Sequence, residues 1–138
     1  MFGKKQEVPN ILLTTLGTIS AQYQYVLLTA ISTSGDGLLH EVYPPEVIEP
    51  VFREYLQMAN VGMKAIGDLI DSNILDDADE EFLQGTINNL SLLKKASESI
   101  IDLLETEEEK CVENYDAYKK EALVKILKLL GLPEPEEL

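Results

Sequence analysis

The sequence predicts an all-α fold, a single-domain antiparallel four-helix bundle of up-down-up-down form. Three observations predict it. Apolar residues recur at spacings of three and four along four segments, and no run alternates with the period of two that a strand requires. Glycines, prolines and acidic clusters fall between those segments, where helices stop and start. Finally, 45% of the 138 residues are apolar, enough material for one core at this length.

The first segment is expected over residues 9–34. Pro9 suits a first helical turn, where its missing N–H costs nothing. Leu12, Leu16, Ile19, Tyr23, Val26 and Ala30 then share one face. Gly35-Asp36-Gly37 reads as its stop, and Pro44-Pro45 closes a connector over 38–45, because residues before proline avoid the α region. The second segment covers 46–72, with Val47, Val51, Tyr55, Met58, Val61, Ala65, Leu69 and Ser72 as its stripe. Pro50 favours a start near Glu49, which would put the proline in the first turn.

The third segment opens on the acids of 76–81, which complement the positive end of a helix dipole. Leu83, Thr86, Leu90, Leu93, Ser97, Ile100 and Leu104 form its inner face, and it fades near Glu105. The fourth runs over 108–130 on Cys111, Tyr115, Tyr118, Ala122, Ile126 and Leu129, with Gly131 and Pro133 as its end. No Gly or Pro separates Gly85 from Gly131, so one long helix is open to the chain. A turn at 106–109 is preferred, because consecutive glutamates repel and a compact bundle needs a reversal. The ends, 1–8 and 132–138, are expected to be flexible.

Eleven Lys and Arg stand against 25 Asp and Glu, a net charge of −14. That balance disfavours nucleic acid and anionic lipid, whose binding relies on basic side chains. Residues 11–31 are long enough to span a membrane, but eight of those 21 positions are Thr, Ser, Gln or Gly, so no stable span is expected. No signal-peptide pattern is present, and the expected location is the cytoplasm.

One Cys and one His leave no disulfide within the chain and no Cys- or His-rich metal site. The Glu-x-x-His pair of carboxylate-bridged di-metal bundles is absent. The acids of 71–81 fit no register of a calcium loop, and Gly35-Asp36-Gly37 lacks the residues of a phosphate cradle. His40 reads as a surface-loop residue. Cys111, among Glu108, Glu109 and Glu113, reads as a half-buried core thiol. No catalytic, cofactor or metal residue is therefore expected.

The most informative feature is an absence. Residues 8–35 contain no Asp, Glu, Lys or Arg in a chain that is 26% charged. A helix at the rim of a monomer normally shows charge on its outer face. This one is expected to be covered on most sides, either at the centre of the bundle or against a second copy. The second option means a homodimer, with Leu12, Leu16, Ile19, Tyr23, Leu27 and Ile31 as its contacts. The function expected is a non-enzymatic interaction, scaffold or regulatory protein. One alternative is a ligand-binding or enzymatic bundle with an internal pocket built on Gln22, Tyr23 and Gln24. Another is an acidic mimic of nucleic acid. Residues 76–138 carry −10 of the net charge, which suits a basic protein partner.

Overall fold

The computed structural model describes residues 10–134, and side chains from 14 onward. They form four helices: α1 (Asn10–Leu39), α2 (Pro45–Asp71), α3 (Asp77–Thr106) and α4 (Glu109–Leu129). No strand occurs among the described residues. The chain is an all-α four-helix bundle. Of the expected flexible ends, 1–8 and 135–138 lie outside the described residues, and 132–134 follow α4 without helix.

The central helix is α3, not α1. Both helices touch all three others, but α3 makes the more extensive contacts with α2 and α4, which flank it without pairing with each other. Its buried residues include Leu83, Leu90, Leu93, Ala96, Ile100 and Ile101. They meet Phe52 and Ala59 of α2, Leu27 and Ile31 of α1, and Tyr115, Ala122 and Ile126 of α4 in one core. Arg53 reaches Glu105, while Gly62 lies against Leu90, so α2 and α3 run in opposite directions. Gly85 beside Leu129 and Thr106 beside Cys111 show the same for α3 and α4.

Three local expectations are corrected. First, α1 does not stop at Gly35-Asp36-Gly37 but continues to Leu39. Both glycines are there for close approach: a Cβ on Gly35 would meet the Tyr115 ring, and one on Gly37 the Tyr43 ring. The helix ends instead in a Schellman cap, with Val42 N–H on Gly37 O at 2.7 Å and Glu41 N–H on Leu38 O at 3.1 Å. The left-handed position of that cap is held by Glu41 (φ 59°) rather than glycine.

Second, α2 starts at Pro45, so Pro50 sits inside it. The proline gives up one hydrogen bond to the carbonyl four residues back. The helix persists because Ile48 and Phe52, on either side of it, are both buried. Third, the buried row of α2 is Ile48, Phe52 and Ala59, one residue on from the expected stripe, a rotation of about 100°. Val47 and Val61 accordingly face solvent, at 50% and 58% exposure.

The doubtful joint after α3 is a true turn. Glu107 adopts φ 56° and its N–H bonds to Leu103 O at 2.8 Å, after which α4 begins at Glu109. At the other end of α3 the acidic start is a working cap: Asp76 Oδ1 accepts the Asp79 N–H at 2.8 Å.

Candidate functional site on the outward face of the first helix

α1 carries two rows of uncharged residues, and they do different things. The inner row is Gln24, Leu27, Leu28, Ile31 and Gly35, all buried against the other helices. Its one amide is matched rather than left in a void. Asn89 Nδ2 donates to Gln24 Oε1 at 2.9 Å, and Gln24 Nε2 to Thr86 Oγ1 at 3.5 Å. Among the described residues no buried side-chain polar atom lacks a partner.

The outer row is Thr15, Ile19, Gln22, Val26, Thr29 and Thr33, every one exposed. Its spacings alternate four and three, the 3.5-residue repeat that makes a straight seam between two paired helices. Ile19 and Val26 are 54% and 62% exposed, and Tyr25 beside them 44%. Thr18 and Thr29 each donate their hydroxyl to the carbonyl four residues back, at 2.9 Å. Those protons are used within the helix, which lowers the cost of covering the hydroxyls with an apolar neighbour. Next to Val26 the face dips into a shallow cavity of about 360 Å³, floored by Ala21, Leu130 and Leu132.

The six residues expected as dimer contacts do not share one surface. Ile19 is exposed, and Leu16 is half-buried. Tyr23 leans onto α2, where its hydroxyl donates to Met58 O at 2.6 Å and its ring rests on Gly62; burial raises its pKa above the ordinary tyrosine value. Leu27 and Ile31, at 1% and 0% exposure, belong to the chain's own core. The Leu12 side chain lies outside the described residues. The outward row was legible as a second 4-3 pattern in the sequence. It was masked because both rows lack charge and the inner one holds the bulkier residues.

The residues expected around an internal pocket diverge likewise: Gln22 points outward, Gln24 into the core, and Tyr23 toward α2. At the α1–α4 contact the Tyr115 hydroxyl, fully buried, donates to Asp36 Oδ1 at 3.1 Å and to Ile31 O at 3.3 Å. Lys119 Nζ joins the same carboxylate at 2.8 Å and stands 4.9 Å from the Tyr115 ring centre. Burial first, and the Asp36 charge second, push the Tyr115 pKa far above that of a free tyrosine.

His40 is exposed at the α1–α2 turn. Cys111 is half-buried, its Sγ 3.6 Å from Thr106 Oγ1. Among the described residues no group of three His, Cys, Asp or Glu could hold a metal ion, and no helix is long and apolar enough to cross a membrane. No protein-family model, curated protein or solved structure matches the chain.

Proposed function

We propose that the protein is a non-enzymatic interaction protein that self-associates, two copies meeting along the outward row of α1. The observation that carries this reading is the exposed, uncharged row Thr15-Ile19-Gln22-Val26-Thr29-Thr33 in a chain of net charge −14. A two-fold interface brings the same patch of each copy together, so the patch must complement itself. A charged patch of one sign repels its own image; a row of methyls, hydroxyls and amides does not. Gln22, between Ile19 and Val26, is placed to pair with its symmetry mate and fix the register, the role of single polar residues in helix seams. From 15 to 33 the seam is about 27 Å long, which puts the interface in the small, reversible class. The cytoplasm remains the proposed setting, and the acidic α3–α4 half is left free to steer a basic protein partner.

The test is mass in solution by multi-angle light scattering across a concentration series. The wild-type mass should rise from 15.4 kDa toward twice that value, more readily in high salt as repulsion is screened. Val26→Glu should stay monomeric while keeping the helical signal and a cooperative melt. Leu27→Ala, a core truncation, should lose about 2–5 kcal/mol of stability while its folded fraction still dimerises. A wild-type chain that stays monomeric at millimolar concentration, or a Val26→Glu chain that dimerises unchanged, refutes the proposal.

A further inference from the structure

Beside the outward row, on the flank of α1 that meets α4, the surface opens into a groove of about 370 Å³. Its floor is Leu28 and Leu123, with the exposed Tyr25 ring at one side. Two lysines enter it from α4, and they differ. Lys119 is held by Asp36 at 2.8 Å and by the face of Tyr115. The Asp36 carboxylate also receives the Tyr115 hydroxyl. That carboxylate and that ammonium therefore satisfy each other inside the groove wall. Lys120 makes no ion pair among the described residues, and neither Ser32 nor Thr33 makes a side-chain hydrogen bond there. Across the groove α1 offers no charge before Asp36 that could neutralise Lys120. The unmatched groups are thus one ammonium and two hydroxyls above an apolar floor, in a volume at the lower end of small-molecule sites.

We propose that this groove binds a small organic monoanion with an apolar body, of the arylcarboxylate class. Its acid group would accept from Lys120 Nζ and from the Ser32 and Thr33 hydroxyls, charge-assisted bonds of the stronger kind. Its ring would lie on Leu28 and Leu123, with Tyr25 beside it. Thr33 lies at the edge the groove shares with the proposed seam, and the test keeps the two readings separate by using Val26→Glu alongside the wild-type chain.

The experiment is a titration with benzoate followed by amide chemical shifts at about 0.15 M salt, where the overall negative charge is screened beyond about 8 Å. Saturable shifts confined to residues 25–36 and 116–123 are expected in both chains. Benzyl alcohol, of similar shape but neutral, should bind at least about tenfold more weakly, as should benzoate to Lys120→Gln, since each loses a charged hydrogen bond; Lys120→Arg should restore binding. Absence of saturable shifts up to about 10 mM, well into the millimolar affinity range, overturns the proposal. Equal binding of benzyl alcohol, or indifference to Lys120→Gln, overturns it as well.

Discussion

Gly35→Ala puts the close approach of α1 and α4 to a quantitative test. In an exposed helix interior, glycine to alanine stabilises by about 0.8–1 kcal/mol. At Gly35 the added Cβ would lie against the hydroxyl end of Tyr115, with Cε1 at 2.8 Å, closer than carbon atoms pack. The ring is fully buried and cannot swing into solvent without losing its place in the core. Overpacking of this kind costs about 1–3 kcal/mol. Displacing the ring also weakens the bond that the single hydroxyl proton shares between Ile31 O and Asp36 Oδ1, worth about 1 kcal/mol. Set against the propensity gain, Gly35→Ala should destabilise by about 1–3 kcal/mol in urea unfolding, with the slope unchanged. Gly17 and Gly67 have nothing within 4 Å of an added Cβ, so alanine there should raise stability by up to about 1 kcal/mol. The sign reversal is the point of the comparison. Gly35→Ala as stable as the wild type would mean that helical propensity, not the Tyr115 contact, governs this position. Truncating the ring in the same chain, with Tyr115→Leu, should make the Gly35→Ala penalty smaller than it is alone.

Two further outcomes follow from the same geometry. Glu107 holds a left-handed conformation (φ 56°) that costs a non-glycine residue about 1–2 kcal/mol, so Glu107→Gly should raise the melting temperature by a few degrees despite the greater freedom of glycine when unfolded; an unchanged or lowered melting temperature would show the turn to be unstrained. Tyr115 remains protonated in the fold above pH 10, where its unfolded counterpart ionises; the stability it contributes is complete below that pH and is lost above it by about 1.4 kcal/mol per pH unit. Alkaline unfolding of Tyr115→Phe should lack that increment relative to wild type, and parallel profiles for the two chains would remove Tyr115 as its source.

The fold class was legible because helix periodicity and the apolar fraction are properties of the chain itself. The orientation of each helix about its own axis was legible only where charges marked the wet side. On α3 the lysines and acids of 94–102 did so, and the expected inner row is close to the buried one. On α2 the apolar residues span two adjacent stripes, 47-51-55-58-61 and 48-52-55-59, which share Tyr55, and only packing chooses between them; Phe52, wholly buried against the core, settles it. Helix ends failed where glycine has two meanings. Gly131 is left-handed (φ 71°) and ends α4 as expected, whereas Gly35 and Gly37 are helical and owe their place to aromatic rings arriving from Tyr115 and Tyr43. Those rings are 80 and six positions away in sequence, and the longer contact leaves no local trace. Leu27 and Ile31, expected at a dimer contact, lie in the core for a reason like that of the α2 stripe: with no charge on either side of α1, hydrophobic bulk drew attention to the core row.

The distribution of charge between α1 and α3 says more than the absence of charge on α1 alone. If burial within the chain dictated where ionisable residues are excluded, α3 would be the uncharged helix, because it buries far more of its side chains than α1 does. It instead carries nine charged side chains, among them Lys94, Lys95, Glu98 and Asp102. α1 leaves its outward row open to solvent, yet has none before Asp36. An exposed helix face costs nothing to decorate with lysine or glutamate, and such residues favour solubility. A face that stays free of them, in a chain otherwise so acidic, is under a constraint that its own fold does not impose. The self-association proposed above would supply that constraint, because a two-fold contact sets this neutral face against a surface of the same character.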